Sequence, residues 1–374
     1  MTAAALALPG RIFLWGRQRL AVFDPALTSL IALLMLIGLI TLYSAGADFP
    51  WRFTDQMRNF GVALGVMFVF ACIPPALLMK FAVPAYVVGV GLLVGVEVAG
   101  ITVKGATRWL DIGVTRIQPS EMMRLAVPLM LAWYFHKREG AIRTLDFLVA
   151  ALLVMIPVAL IMKQPDLGTA TLVLAAGAFV IFFAGLPWKW IAALVIGGLA
   201  MLPIGWSMMH DYQRQRVYTL IDPSEDPLGK GFHTLQAMIA IGSGGLFGKG
   251  WMQGTQTHLE FIPERTSDFI FAVFSEEFGL VGNFVLVALF LLLVIRALAI
   301  AGSAASPFSR LMAASIALIM FTYAFVNMGM VSGILPVVGV PLPFISYGGT
   351  ALVTLGMASG ILMSIARNRQ LIQS

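Results

Sequence analysis

DFIFAVFSEEFGLVGNFVLVALFLLLVIR, residues 268–296, decides the fold. From Phe269 to Ile295 only Glu276 and Glu277 carry charge. Such a run satisfies the ~20 residues that a helix needs to cross a bilayer. A membrane β-barrel would instead alternate apolar and polar residues over strands of ~10 residues, and this stretch does not alternate. Comparable runs recur from end to end. The chain has 374 residues, 59% hydrophobic and 11% charged, against about 25% charged in a soluble domain. The fold class is therefore an all-α polytopic membrane protein, a single integral membrane domain over 1–374.

Working outward, the apolar runs predict about ten transmembrane helices, near 26–46, 58–76, 81–100, 120–136, 145–162, 168–186, 189–208, 268–296, 310–333 and 347–366. An even number puts both termini on one side. With the N-terminus in the cytoplasm, twelve Lys and Arg lie in cytoplasmic segments and seven in short external ones. Five more lie in the long loop before helix 8, residues 209–267, which the positive-inside rule counts poorly. That loop then faces outward. Fifteen of the 18 acids fall on the same outer side, which predicts an external polar cavity.

Other classes are excluded early. The single Cys72 rules out an intramolecular disulfide and Cys-based metal sites. The N-terminus has no compact signal-peptide pattern. A net charge of +6 is spread along membrane edges, so no nucleic-acid partner is expected.

The loop invites attention because long structureless loops are uncommon and usually functional or disordered. Phe232, Trp251, Phe261 and Ile262 make it read as ordered, and Arg214 and Arg216 near its start are candidate substrate contacts. At its far end, Ser267 or Thr266 suits an N-cap, with Asp268 in the first helical turn. There the helix dipole favours a carboxylate. Asp268 is equally placed to act as a general base at a cavity mouth, and position alone leaves both readings open. Glu276 and Glu277 lie two turns deeper. Being adjacent they point to different faces, so at most one is expected to line a cavity.

Three further constellations stand out. In Gly105–Asp111 and Gln118–Arg124, Glu121 and Arg124 are spaced i, i+3 and share a helix face. Such a pair would be costly against lipid, so it faces protein or water, as a clamp or as a site wall. Arg108 and Arg124 suit phosphate because the guanidinium fork binds two oxygens, and Trp109 suits stacking on a sugar. In Lys163–Thr169, Asp166 is placed to cap the next helix, and an acid beside a base could also hold a ligand. Both Gln-Pro-Ser and Gln-Pro-Asp put Pro at a helix start with Ser120 or Asp166 able to accept an orphan N–H. Finally, Ile334–Gly349 carries three prolines and three glycines. Broken backbone at membrane depth must be buried or line a cavity, which predicts a re-entrant loop beside the site.

GATRWLDIG, QPSE, QPDLGTA, YQRQRV, DPLGKGFHTLQAMIAIGSGGLFGKGW, GTQTHLEFIPERTSDFIFAVFSEEFG and PLPFISYGG together resemble the shape, elongation, division and sporulation (SEDS) family of peptidoglycan polymerases. The blocks run from Gly105 to Gly349. ILMSIARN and Ile73-Pro-Pro75 look more like the elongation branch than the division branch. The resemblance implies a GT-C-like enzyme of the bacterial cytoplasmic (inner) membrane, with its active site facing the periplasm or exterior. It implies polymerisation of lipid II, as both donor and acceptor, into β-1,4 glycan with inversion at the anomeric centre. Asp268 matches the family's essential aspartate, whose implied role is general base on the acceptor GlcNAc 4-hydroxyl. Arg108, Trp109, Gln118, Ser120, Glu121, Arg124, Lys163 and Asp166 are the implied substrate-binding positions, together with Arg214 and Arg216. The family commonly has Lys where Arg124 stands. Departure of pyrophosphate needs cationic stabilisation from Arg side chains or from a divalent ion, Mg2+ or Mn2+. No organic cofactor is implied. Implied partners are a class B penicillin-binding protein transpeptidase and other elongation-complex membrane proteins. A lipid II flippase is the rival reading, and the outward bias of the acids argues against it. A scaffold that only recruits a transpeptidase is another.

Overall fold

The computed structural model describes residues 22–103, 106–111, 113, 116–164, 166–209, 214, 218, 230–259, 261–262 and 264–373. Long helices dominate, and each predicted span meets one. They are α1 (Pro25–Ala45), α2 (Pro50–Cys72), the short α3 (Pro75–Lys80), and α4 (Ala82–Ala99). Then come α5 (Pro119–His136), α6 (Thr144–Lys163), α7 (Leu167–Phe183) and α8 (Trp188–Met208). Inside the predicted external loop the described residues include α9 (Lys230–Ser243) and α10 (Thr255–His258). The chain closes with α11 (Ile270–Gly302), α12 (Pro307–Val331) and α13 (Thr350–Gln373). Seven of them are long and apolar enough to cross a membrane, and α2, α5 and α7 are more polar or shorter. The protein is an all-α polytopic membrane protein.

Several helix starts carry proline, including α1, α2, α5 and α12. The missing N–H there would have lacked an intrahelical partner anyway. Asp24 caps α1 by accepting from the Leu27 N–H at 2.9 Å, and Ser306 caps α12 through Ser309 N–H at 3.2 Å. At the same membrane edge Arg296 of α11 donates to both oxygens of Asp24, at 3.0 and 2.5 Å.

The bundle is built around α5 and α12, the most enclosed helices, with α7, α11 and α13 packed beside them. α13 lies along α2 in close backbone approach: a Cβ on Gly356 would sit 2.5 Å from the Ala63 carbonyl oxygen. By contrast, the span in α8 holds no buried residue, so this helix stands apart from the core. α2 starts at Pro50 rather than near 58 because its first turns are polar. They carry Arg52 and the Asp55–Arg58 ion pair at 3.1 Å, and bury Gln56 against the Ser346 carbonyl at 3.1 Å.

Between α4 and α5 lies a small antiparallel sheet, β1 (Ile101–Val103), β2 (Ala106–Asp111) and β3 (Arg116–Ile117), in the order β1-β2-β3. Thr102 faces Thr107 across it, their hydroxyls 2.8 Å apart.

The ladder of α11 is broken at Gly279, where φ 64° and ψ −162° suit only glycine. The amides of Leu280 and Val281 would ordinarily bond the carbonyls of Glu276 and Glu277. Instead they donate to the carbonyls of Gly245 and Leu246, both at 3.0 Å. The freed carbonyls of Glu276 and Glu277 accept from the amides of Lys249 and Gly250 at 3.0 and 3.1 Å. A short stretch of the loop thus completes the helix. The glycines around 244–250 make that approach possible, since a Cβ on Gly244 or Gly248 would run into the backbone of residues 275–278.

Candidate active site

The described residues line a cavity of about 200 Å³ where six parts of the chain converge. The hairpin strand β2 brings Arg108. The start of α5 brings Gln118, Glu121 and Arg124, and the start of α7 brings Asp166 and Thr169. The segment ahead of α11 brings Asp268. The non-helical stretch after α12, including Gly339, Phe344, Ser346 and Tyr347, and the start of α13, with Thr350 and Leu352, supply the remaining wall; the former answers the prediction of a re-entrant loop beside the site.

Charges in the cavity are knitted together. Arg108 meets Asp166 at 3.2 Å, and Gln118 donates to the same Asp166 Oδ2 at 3.2 Å. Asp166 is also the N-cap of α7, accepting from Thr169 N–H at 3.1 Å and from its hydroxyl at 2.9 Å. Thr169 in turn accepts from Arg124 Nη2 at 3.0 Å, while Arg124 Nη1 donates to Glu121 at 2.5 Å and to the Tyr323 hydroxyl. Arg124 and Glu121 are both buried. A buried ion pair holds only when its lone pairs and protons find partners, and here Tyr323 and Thr169 supply them. Arg124 Nε and Arg108 Nε are both buried and have no side-chain or backbone partner among the described residues.

Asp268 does not sit in the first turn of its helix. α11 begins at Ile270 with Phe269 as N-cap, no side chain caps it, and its first turn holds no acid. The segment carrying Asp268 is clamped through its backbone. Asn327 Nδ2 donates to the Asp268 carbonyl at 2.9 Å, Ser346 Oγ to the Ser267 carbonyl at 2.7 Å, and Tyr347 N–H to the Thr266 carbonyl at 2.9 Å. Arg52 Nη1 reaches Thr266 Oγ1 at 2.5 Å. Arg265 adds bonds to the carbonyls of Ala45 and Thr257, at 2.8 and 2.7 Å, and an ion pair to Asp48. The left-handed Gly339 backbone, at φ 74°, passes close enough that a Cβ there would lie 3.3 Å from Asp268 Oδ2.

Of the candidates from sequence, Arg108, Gln118, Glu121, Arg124, Asp166 and Asp268 meet at this cavity; Trp109, Ser120, Lys163 and Arg214 do not line it. Trp109 follows Arg108 in a strand, where successive side chains turn to opposite faces. Ser120 is fully buried inside the bundle and does not cap α5. Lys163 ends α6 with its side chain exposed. Arg214 donates to the carbonyls of Trp206 and Ser207 at the end of α8, at 3.2 and 2.8 Å. Arg216 and much of 209–229 lie outside the described residues. Tyr323, Asn327, Thr169 and Ser346 were not singled out from sequence. The available signal was a tyrosine and an asparagine, four apart, inside an apolar span.

Glu276 and Glu277 are both buried, and neither lines the cavity. Glu276 accepts from Lys249 Nζ at 2.7 Å, from the amides of Gln256 and Thr257 at 2.9 and 3.2 Å, and from the Thr257 hydroxyl at 3.0 Å. Glu277 accepts from Ser44 Oγ and from the Met252 amide at 3.1 Å. Their work is to fasten the loop to the bundle. As for a metal, no three His, Cys, Asp or Glu side chains gather to hold one among the described residues. Asp166 and Glu121 already accept from arginines, so a divalent ion held by protein ligands alone does not fit this donor set.

The Cell cycle protein family of FtsW, RodA and SpoVE matches residues 23–371. Peptidoglycan glycosyltransferase MrdB of Escherichia coli (strain K12) is 46% identical over 365 residues, 97% of this chain and 98% of that protein. Among solved structures, a chain from a study of the structural coordination of polymerization and crosslinking by a peptidoglycan synthase complex is 31% identical. It superposes with a TM-score of 0.81, covering 93% of this chain and 98% of that one. The crystal structure of Thermus thermophilus Rod shape determining protein RodA gives a TM-score of 0.71 at 31% identity, over 93% and 97% of the two chains.

Proposed function

The chain belongs to the FtsW, RodA and SpoVE family and is a peptidoglycan glycosyltransferase, and we propose that it polymerises lipid II for cell elongation from the cavity holding Asp268. One observation carries the assignment of residues: a carboxylate and two arginines face the same cavity, Asp268 with Arg108 and Arg124. A glycosyl transfer of this kind needs those two charges apart from each other in role. Asp268 takes the proton from the acceptor GlcNAc 4-hydroxyl as that oxygen bonds to the anomeric carbon of the donor MurNAc. The bond from that carbon to undecaprenyl pyrophosphate breaks on the opposite face, which inverts the centre. Arg108 and Arg124, which line the cavity, stabilise the charge gathering on the departing phosphate. Clamping of the Asp268 backbone fixes the base before substrate arrives.

The cavity opens, in this proposal, to the outer face of the cytoplasmic membrane, with both termini cytoplasmic. Supporting it is the distribution of Lys and Arg along the chain. A crosslinking transpeptidase of the class B penicillin-binding type is the proposed partner, supported by the synthase complex that contains a similar chain. The deciding experiment is polymerisation of lipid II by purified protein in detergent, where no membrane exists to be crossed. Wild type makes glycan strands, and Asp268→Ala and Asp268→Asn make none while eluting as folded protein. No polymer in detergent, together with scrambling of labelled lipid II by the same protein in liposomes, would establish a flippase instead.

A further inference from the structure

α12 presents Tyr323 and Asn327, one helical turn apart and both buried, to the residues that line the cavity, Tyr323 to Arg124 and Asn327 to the segment carrying Asp268. Tyr323 accepts from Arg124 Nη1 and lies under its guanidinium, 5.0 Å from the ring centre. Asn327 donates both to the Asp268 carbonyl at 2.9 Å and to the Val340 carbonyl at 2.7 Å. A single amide group therefore ties the segment carrying Asp268 to the re-entrant stretch that closes the cavity. Asn327 Oδ1 has no partner among the described residues, so the side chain is retained at fully buried depth for its donors alone. Leaving a buried polar atom unpaired is destabilising, and an ordinary packing residue would avoid it.

We propose that Tyr323 and Asn327 are positioning residues that fix the separation between the cation Arg124 and the base Asp268. Neither touches the reacting atoms. Arg124 has no backbone acceptor in this network and is aimed by side chains alone; the ring and hydroxyl of Tyr323 set its plane. Asn327 sets the depth of Asp268 by holding its backbone. Because both grips come from one rigid turn of α12, the two charges keep a fixed spacing.

This inference rests on the proposed roles of Asp268 and Arg124, and the test separates the two. Lipid II polymerisation is measured for wild type, Tyr323→Phe, Asn327→Ala and Asn327→Ser, with melting temperature recorded for each. Misplacement of a catalytic group costs up to about 100-fold, so kcat should fall between about 10- and 100-fold with KM within about twofold. Asn327→Ser keeps a donor and should retain more kcat than Asn327→Ala. Tyr323→Phe placed on Arg124→Lys should cost little more than Arg124→Lys alone, because Tyr323 acts through that guanidinium. Wild-type kcat in folded Tyr323→Phe and Asn327→Ala, or full additivity with Arg124→Lys, overturns the positioning role and leaves the proposed function standing. If Asn327→Ala does not fold, a KM rise with unchanged kcat in Asn327→Ser does the same. An inactive wild type would fault the proposed function itself.

Discussion

Arg108 on the hairpin and Asp166 at the start of α7 meet at 3.2 Å, and Asp166 caps that helix with its other oxygen. Two roles in one carboxylate can be separated. Asn is as good an N-cap as Asp but carries no charge. Asp166→Asn should therefore keep the melting temperature nearly unchanged and lower polymerisation at least about tenfold through loss of an aligned Arg108. Arg108→Lys should fall between wild type and Arg108→Ala, since it keeps charge and loses the fork. Initial rates beside melting curves check this; an equal loss of both in Asp166→Asn would reduce the residue to a cap.

Glu121 and Arg124 form a pair 2.5 Å apart inside the bundle. Removing one partner of such a pair costs about 3–5 kcal/mol, whereas replacing both with apolar residues is often neutral. Glu121→Leu alone should melt markedly earlier than wild type. Glu121→Leu with Arg124→Met should regain much of that stability yet stay inactive. Glu121→Gln should slow polymerisation by misaiming Arg124, and its effect should not add to that of Arg124→Lys. Additive rates in that cycle would mean the two act separately.

Glu276 gathers Lys249, Thr255, Gln256 and Thr257. Without it those donors lose their shared acceptor, and charge-assisted bonds contribute about 1.5–3 kcal/mol each. Trypsin should then cut after Lys249 at least about tenfold faster in Glu276→Ala than in wild type, with Glu276→Gln intermediate. Unchanged cleavage would show that the backbone bonds around Gly279 suffice to hold the loop.

At the opposite membrane edge burial raises the Asp24 pKa, but the bonds from Arg296 and the Leu27 amide outweigh it and leave the carboxyl below its ordinary 3.8. A folded value below the unfolded one stabilises the protein at pH above 3.8, and that stabilisation is lost as pH falls through the lowered value. The melting-temperature gap between wild type and Asp24→Asn should be full at neutral pH and shrink as pH falls below 3.8. A gap that is constant across that range would remove the charge from the explanation.

The spans were legible because uninterrupted apolar runs have one outcome in a bilayer, and the broken segment after α12 was legible because its prolines and glycines forbid a helix. Asp166 as a cap followed from its place before an apolar run. The hairpin carrying Arg108 left no trace, since its strands are too short to show alternation. Asp268 was misjudged by two residues as a first-turn acid, because only tertiary contact with Asn327 and Ser346 decides where α11 begins. For Glu276 and Glu277 the helical wheel rightly kept at least one out of the cavity, but it could not show what they bind instead. The ladder is broken beside them, and the loop residues that meet the two acids lie 19 to 27 residues earlier in sequence. Tyr323 went unnoticed because a tyrosine in an apolar span also packs well.

The junction at Gly279 changes what kind of object the loop is. Lifting residues 245–250 away would strip partners from four backbone groups at once, the amides of Leu280 and Val281 and the carbonyls of Glu276 and Glu277. At membrane depth each stranded group costs several kcal/mol. Undocking the loop and unzipping the outer end of α11 are therefore the same event. Amide hydrogens of Leu280 and Val281 become reporters of it, exchanging only when their acceptors Gly245 and Leu246, far upstream in sequence, let go. A graft that exchanges this loop between relatives must carry both sides of the junction.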